Sequence, residues 1–266
     1  MKLTVHGQEA YAYTGGKPFD PALPTIAFVH GALNDHSVWT LLARWAAHHG
    51  FGVLAIDLPG HMRSGGQALK NVEGMADWPL ALLDAADVKQ AALAGHSLGS
   101  LVALEAAARA PERATRLLMF GATVPMPVSN ALLTASRDAP HKAIDMVVSY
   151  SFSTLAAKPS YPGPGVWLRG SARSLMRQVL AHGGDPLLFH TDFIACNNYQ
   201  GGVAAAGRVR CASHLILGQF DQMTPPRGTR EITAALNGTV HTVPGGHFLM
   251  QECPDQVLSA MRKALA

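Results

Sequence analysis

The sequence predicts an α/β protein built on a mostly parallel, doubly wound β-sheet. Short apolar runs bounded by Gly or Pro recur along the chain, which is typical of strands that are buried on both faces. Longer segments with helical apolar spacing separate these runs, and a parallel sheet with helical crossovers requires that alternation. The chain has 266 residues, of which 48% are hydrophobic and 15% charged. It is therefore long and apolar enough to bury one large core.

The apolar runs predict the elements in order. Five runs are continuous enough to be fully buried strands: 25–31 (TIAFVHG), 52–60 (GVLAIDLPG), 90–97 (QAALAGHS), 115–123 (TRLLMFGAT) and 213–221 (SHLILGQFD). A sixth candidate strand covers 238–246 (GTVHTVPGG). The first residues, KLTVHG and EAYAYTGG, favour an antiparallel hairpin at one edge of the sheet. Helical spacing predicts helices over 38–49, near 76–86, and over 98–109, 227–236 and 255–265.

One long interval breaks this alternation. Residues 124–206 contain no strand-like run, but they include the helical patterns HKAIDMVVSYSF and GSARSLMRQVLAHG and a Pro/Gly-rich break, KPSYPGPGVW. Connections within a sheet are usually much shorter. We therefore interpret 124–206 as a helical lid inserted into a core domain formed by 1–123 and 207–266. A set of ordinary connecting helices is the alternative.

Composition excludes several classes of protein. The formal net charge is +3 and Lys and Arg never form a run of four, so no nucleic-acid or anionic-membrane surface is indicated. No secretion signal and no apolar stretch of membrane-spanning length is found, which favours a cytoplasmic protein. Three cysteines, Cys196, Cys211 and Cys253, fit no zinc-binding spacing, so we expect free thiols. Nothing in the sequence indicates an oligomeric state.

Ser97 lies between Gly95 and Gly99 in the stretch AGHSLGS, directly after a predicted strand and before a predicted helix. Gly-x-Ser-x-Gly at such a junction is typical of a nucleophile elbow, whose sharp turn exposes the serine hydroxyl above the carboxyl edge of the sheet. The free N–H groups at the start of the helix favour developing negative charge. We therefore predict that Ser97 is a catalytic nucleophile, the alternative being a turn that only links the two elements.

A serine nucleophile needs a base, and the base needs an acid that orients it. In an elbow fold of this kind the acid follows a late strand and the histidine follows the last strand. Asp221 ends the predicted strand 213–221, and His247 follows the predicted strand 238–246 after two glycines. We predict Asp221 as the orienting acid and His247 as the general acid-base. The other late carboxylates lie on predicted helices or just before one: Glu231, Glu252 and Asp255.

Attack on a carbonyl also requires two N–H donors for the oxyanion. One donor is expected from the residue after the nucleophile, Leu98, and the other from the loop after the third strand. That strand is followed by HGALNDHSVW, in which Ala32 is the candidate. Only its backbone is required, so the identity of the side chain is of little consequence.

The chain resembles, in order and spacing over nearly its whole length, the lidded members of the α/β-hydrolase fold superfamily. The resemblance rests on five segments: HGALNDHSVW (30–39), DLPGHMRS (57–64), GHSLG (95–99), GQFDQMTPP (218–226) and GGHFLMQECPDQV (245–257). In addition, TDFIACNNYQ (191–200) is similar to the helix that returns the lid to the core. The resemblance implies the same roles for Ser97, Asp221 and His247, with oxyanion donors at Leu98 and Ala32 and no cofactor or metal. Met62 departs from the family, whose turn often has glycine there, and this affects only the local turn.

The function expected from this resemblance is a serine hydrolase that cleaves a small to medium, largely apolar carboxylic ester through an acyl-enzyme on Ser97. Thioester hydrolysis, lactone opening and carbon–carbon bond hydrolysis stay open for the same three residues, because one fold hosts many reactions. The carbon–carbon hydrolases rank lower, since the loop after His30 lacks their glycine-rich and Ser-Asn pattern. An acyltransferase and a non-catalytic small-molecule receptor are the remaining alternatives.

The lid residues predict a mainly apolar substrate cavity. The same helical spacing is also typical of core residues, so each of these side chains could equally lie in the core. The candidates are Met126, Met146, Tyr150, Phe152, Trp167, Met176, Leu188, Phe189 and Phe193. Arg169, Arg173 and Arg177 are interpreted as a solvated helix face, with contact to an anionic substrate group as the alternative.

Overall fold

Eight strands form one sheet in the computed structural model, which describes residues 1–153 and 167–266. The strands are β1 Lys2–Val5, β2 Gln8–Tyr13, β3 Thr25–Val29, β4 Gly52–Ile56, β5 Ala91–His96, β6 Ala114–Phe120, β7 Ala212–Gly218 and β8 Thr239–Val243. Their order across the sheet is β1-β2-β4-β3-β5-β6-β7-β8. The predicted hairpin is confirmed, since β1 and β2 pair antiparallel, and β3 to β8 all pair in parallel.

The predicted strands are all found. Strands β3, β4, β6 and β8 end before the Gly or Pro that closes the apolar run, whereas β5 continues through Gly95 and β7 ends on Gly218. Strands β3 and β4 are buried at every position, as their continuous apolar runs predict. Along β3, Ala27 and Val29 belong to the core on one face of the sheet, while Ile26 and Phe28 belong to the core on the other. The α/β fold with a mostly parallel, doubly wound sheet is therefore confirmed.

Helices cover both faces of the sheet. They are α1 Thr40–Ala47, α2 Val72–Ala85, α3 Leu98–Arg109, α4 Asn130–Asp138, α5 Pro140–Ser151, α6 Leu168–His182, α7 Leu188–Asn198, α8 Gly202–Ala206, α9 Arg230–Ala235, α10 Leu249–Glu252 and α11 Pro254–Leu265. Helix α2 begins earlier than its apolar pattern predicts, because the side chain of Asn71 caps it by accepting a hydrogen bond from the N–H of Gly74. The predicted helix over 227–236 is divided into a 3₁₀ turn, Pro226–Thr229, and α9.

Five helices, α4 to α8, lie between β6 and β7. They correspond to the helical patterns predicted within 124–206, and the described part of that interval contains no strand. Most of the Pro/Gly-rich break, residues 158–166, lies outside the described residues. Helices α7 and α8 pack on α3, so the inserted segment is in direct contact with the helix that follows Ser97. Across the described residues, no helix combines the length and apolarity that a bilayer crossing needs.

Candidate active site

Ser97 lies at the sharp turn between β5 and α3. Its backbone has φ +53° and ψ −119°, a strained conformation for a residue with a side chain. Two glycines make the turn sterically feasible. A Cβ at Gly95 would overlap the carbonyl of Gly99, and a Cβ at Gly99 would overlap the carbonyl of Val29. The Gly-Ser-Gly spacing read from the sequence is therefore a steric requirement of this turn.

Asp221 and His247 are brought together by the loops after β7 and β8. The Nδ1 nitrogen of His247 lies 2.8 Å from Oδ2 of Asp221. Because a carboxylate only accepts, Nδ1 carries the proton and Nε2 is left as the basic nitrogen. Thr224 donates its hydroxyl to the same carboxylate oxygen at 2.7 Å, and the N–H groups of Met223 and Thr224 donate to Oδ1, each at 2.8 Å.

These contacts keep Asp221 charged although it is buried. Burial alone would raise the pKa of its carboxyl. The positive charge available on His247, together with the hydrogen bonds from His247 and Thr224, outweighs burial and holds the pKa of Asp221 below its ordinary value. An ionised carboxylate at this position fixes the orientation of the imidazole and stabilises it when it gains a second proton.

Ser97 and His247 both line a cavity of about 300 Å³ at the carboxyl edge of the sheet. The other lining residues are Met126, Pro127, Val128, Ser129, Leu132, Met146, Tyr150, Phe193, Cys196, Gln222, Met223 and Thr224. Of the cavity walls formed by residues 1–153 and 167–266, no part is an Asp, Glu, Lys or Arg side chain. The cavity thus offers an uncharged, mainly apolar environment next to a hydroxyl and an imidazole.

The residues predicted to donate to an oxyanion lie at the same place. Leu98 is the first residue of α3, where helix N–H groups have no intrahelical acceptor. Ala32 lies in the loop after β3 and lines a small cavity of about 20 Å³ together with Ser97 and His247. Both residues are buried. The structure therefore brings all five predicted site residues to one edge of the sheet.

The predicted cavity residues divide into two groups. Met126, Met146, Tyr150 and Phe193 line the larger cavity, and Phe189 lines the smaller one with Phe193. The other members do not line either cavity, because the same helical spacing directs them elsewhere: Phe152, Met176 and Leu188 are buried in the core, and Trp167 is exposed. Arg173 pairs with Asp145 at 2.5 Å on the partly exposed side of α6, and none of Arg169, Arg173 and Arg177 lines either cavity.

Two supporting residues, Glu252 and Thr224, have no role in the prediction from sequence. Glu252 was set aside because it lies on a helix, yet its buried carboxylate accepts hydrogen bonds from the N–H of Gly246 at 2.7 Å and from the N–H and hydroxyl of Ser153. It therefore ties the loop that holds His247 to the end of α5. In the sequence, Thr224 occurs only within the segment GQFDQMTPP. A hydroxyl three residues after the acid was the available signal for Thr224, and none existed for Glu252.

Comparison with known proteins agrees with this architecture. The model of the family described as "Alpha/beta hydrolase family" matches residues 26–260. The chain is 26% identical over 247 residues to the pimeloyl-[acyl-carrier protein] methyl ester esterase of Chromobacterium violaceum, which covers 88% of this chain and 84% of that protein. It is 38% identical over 97 residues to a dihydrolipoyllysine-residue acetyltransferase component of the acetoin cleaving system of Pseudomonas putida. That match covers 36% of this chain and spans only 26% of the length of that protein.

Solved structures share the fold over the entire chain. The crystal structure of the enol-lactonase from Burkholderia xenovorans superposes with a TM-score of 0.85 at 19% identity, covering 100% of this chain and 99% of that one. At this identity the likeness concerns the fold alone. The family match, which includes the elbow and both loops that carry Asp221 and His247, extends over most of the sequence. The chain belongs to the alpha/beta hydrolase family.

Proposed function

We propose that the protein is a serine hydrolase that cleaves a small to medium, largely apolar carboxylic ester through an acyl-enzyme on Ser97. The observation that supports this most is a combination of two contacts. His247 donates Nδ1–H to Asp221, and the same imidazole lines, with Ser97, an uncharged cavity of about 300 Å³. A cavity of this volume is at the lower end of the range of small-molecule sites, roughly 300–1,000 Å³.

The proposed reaction has two balanced steps. The Ser97 oxygen bonds to the ester carbonyl carbon while its proton passes to Nε2 of His247, and the resulting oxyanion accepts hydrogen bonds from the N–H groups of Leu98 and Ala32. The bond to the alcohol oxygen then breaks, and the alcohol leaves with the proton from His247. The oxygen of a water molecule then bonds to the acyl carbon while one water proton passes to His247. The bond between that carbon and the Ser97 oxygen breaks, the acid leaves, and Ser97 takes the proton back from His247.

The lining residues support an apolar acyl group over a charged one. No Lys or Arg in the described chain lines the cavity to pair with a carboxylate or phosphate, and a buried charge without a partner is strongly disfavoured. The helices α4, α5 and α7 contribute Leu132, Met146 and Phe193 to the walls. In the proposal, residues 124–206 act as the lid that supplies this acyl pocket.

A fluorophosphonate probe combined with ester hydrolysis tests the proposal. The wild-type protein should form one covalent adduct, located at Ser97 by peptide mass spectrometry, and should hydrolyse p-nitrophenyl esters of short to medium acyl chains. The Ser97→Ala variant should not be labelled by the probe and should not hydrolyse the esters. The Ser149→Ala variant, which changes an exposed serine of α5, should behave as wild type. A Ser97→Ala protein with nearly wild-type turnover contradicts the assignment.

Parallel assays separate the other chemistries. A thioester and a lactone of matched acyl length are measured beside the ester, and preference for either one replaces the ester in the proposal. If the folded wild-type protein is not labelled by the probe and hydrolyses none of the three substrates, the result indicates a binding protein on this scaffold.

A further inference from the structure

Asp192 is a completely buried carboxylate on α7, outside the three proposed catalytic residues. Its Oδ2 atom accepts two hydrogen bonds from the core. The N–H of Leu33, in the loop after β3, lies 2.8 Å away, and Nε2 of His61, in the loop after β4, lies 3.0 Å away. One oxygen of the inserted segment therefore joins two core loops. The Leu33 loop is the one that also contains Ala32, the proposed oxyanion donor.

The peptide unit between Ala32 and Leu33 is fixed at both ends. Its carbonyl accepts a hydrogen bond from the side-chain amide of Asn34 at 2.9 Å, and its N–H donates to Asp192. Leu33 needs this support because its φ is +49°, a left-handed conformation that is unfavourable for a residue with a side chain. If the N–H of Leu33 had no acceptor, we expect that the loop would relax to a less strained conformation.

The preceding peptide unit contains the N–H of Ala32. Its carbonyl, from Gly31, accepts from Nδ1 of His30 at 2.8 Å and from the N–H of Asn34 at 3.2 Å. In a trans peptide the N–H and the carbonyl point in opposite directions. Binding the Gly31 carbonyl on one side therefore directs the Ala32 N–H to the other. The position of this donor depends on two consecutive peptide units, and Asp192 holds the second of them.

The hydrogen-bond partners of His61 favour the charged form of its imidazole. Nδ1 of His61 lies 3.1 Å from the carbonyl oxygen of Pro59, and Nε2 lies 3.0 Å from Asp192, so the ring faces two groups that only accept. Both nitrogens must then carry a proton. Burial lowers the pKa of His61, but the Asp192 charge and the hydrogen bonds to Asp192 and Pro59 outweigh burial and raise it above its ordinary value. Neighbouring His30 is neutral, because its Nε2 accepts from the N–H of Leu58.

We propose that Asp192 is a positioning residue for the oxyanion hole: the inserted segment, through the His61–Asp192 ion pair, holds the loop that presents the Ala32 N–H. This inference rests on the proposed function, since the donor matters only if Ser97 attacks a carbonyl. The insertion would then have a second role besides lining the cavity. It would complete the electrostatic environment of the reaction from 159 residues further along the chain.

The test uses Asp192→Asn and an aryl boronic acid, which forms a tetrahedral adduct with a catalytic serine and mimics the intermediate. Losing one oxyanion donor costs about 10²–10³ in kcat, so a displaced donor should lower kcat by about tenfold. Boronic acid affinity should fall by a similar factor, while KM stays within about twofold because the ground-state ester makes weaker use of the donor. His61→Gln, which keeps a donor toward Asp192 but removes the charge, should cause a smaller fall in the same two quantities and remains informative if Asp192→Asn does not fold.

Glu105→Gln is the matched control. Glu105 is a buried carboxylate on α3 that binds the hydroxyl of Tyr199, which directly follows α7, at 2.7 Å. Its change should lower the unfolding temperature without altering boronic acid affinity. If Asp192→Asn and His61→Gln both lower stability but leave kcat and boronic acid affinity unchanged, the positioning role is wrong. If wild-type protein binds no boronic acid and hydrolyses no ester, the proposed function itself fails.

Discussion

The Nε2 nitrogen of His96 lies 2.9 Å from the carbonyl oxygen of His247, so the residue before Ser97 is bonded directly to the proposed base. The carbonyl only accepts, which means that Nε2 of His96 carries the proton and Nδ1 does not. Burial, and then the neighbouring His247, lower the pKa of His96 to about 3. Burial and the neighbouring His61 likewise lower the pKa of His30 to about 4. Two completely buried histidines beside the site are therefore neutral.

Acid should destabilise the protein because of these two histidines. Each has an ordinary pKa of 6.5, so below that pH the unfolded chain binds protons that the folded chain does not bind until about pH 4 for His30 and about pH 3 for His96. The contribution of these two histidines to the free energy of unfolding is therefore complete above pH 6.5. As the pH is lowered below 6.5, it decreases by up to about 1.4 kcal/mol per pH unit for each histidine. Urea unfolding between pH 7 and pH 4.5 measures this slope. His96→Gln should reduce it and His49→Ala, at an exposed position, should not; equal slopes in all three proteins would contradict the explanation.

The His61–Asp192 pair predicts the opposite dependence on the alkaline side. Its contribution to stability is complete below pH 6.5, the ordinary pKa of histidine, and is lost as pH rises through the raised pKa of folded His61. The charged or titratable groups that face His61 are Asp192, Asp57 and His30. Wild-type unfolding free energy should therefore decrease from pH 6.5 upward. Asp192→Asn should lose most of that decrease, and an unchanged alkaline slope in the variant would count against a charged His61.

Gly99→Ala should be far more damaging than an ordinary Gly→Ala change. Its Cβ would overlap the backbone carbonyls of Val29 and His30, which cannot move without disturbing β3. We expect a loss of about 3 kcal/mol or more in the free energy of unfolding, at the upper end of overpacking costs, together with loss of the proposed ester hydrolysis. Gly207→Ala is the control, since its Cβ would meet its nearest neighbour at 3.7 Å, an ordinary contact. Thermal unfolding of both variants measures the difference. If Gly99→Ala is as stable as Gly207→Ala, the steric explanation for Gly99 is wrong.

Asp221→Asn should leave the fold intact and slow the reaction. An amide can donate to Nδ1 of His247, which would place the ring proton on Nε2 and remove the proposed base from the cavity that Ser97 also lines. The same exchange in a serine protease lowers kcat by about 10⁴, and a similar order is expected here. Thr224→Val, which removes one hydrogen bond at 2.7 Å but keeps the acid, should cost much less. The rate of fluorophosphonate labelling gives an independent measure, and equal rates in Asp221→Asn and wild type would remove Asp221 from the mechanism.

Met146→Ala should enlarge the cavity and shift acyl preference to longer chains. Met146 is a partly buried residue of α5 that lines the cavity with Ser97. Each methylene buried in the new space contributes about 0.8 kcal/mol, so the ratio of kcat/KM for octanoate to butanoate p-nitrophenyl esters should rise severalfold. Leu41→Ala, at a 60% exposed position on α1, serves as the control. If the ratio does not change in Met146→Ala, the acyl group binds elsewhere.

Much of the fold and of the site was predictable because it depends on patterns of neighbouring residues in the sequence. Helix α3 begins and ends at the predicted residues, since GHSLG defines its start and apolar spacing its length. The strand ends that precede Asp221 and His247 were found for the same reason. Local spacing could not separate Met146, which lines the cavity, from Phe152, which is buried in the core, because both follow the same helical period.

By itself the sequence determined the order of strands and helices along the chain and placed Ser97, Asp221 and His247 after strand ends. These features depend on apolar spacing and on the positions of glycines, both of which are local to a few residues. Only the tertiary structure decided which distant groups support them. The bonds from Ser153 to Glu252 and from Leu33 to Asp192 join residues 99 and 159 positions apart. Such pairings arise when the inserted helices pack on the core and bury a carboxylate that must then find donors, and no local pattern records which donors it finds.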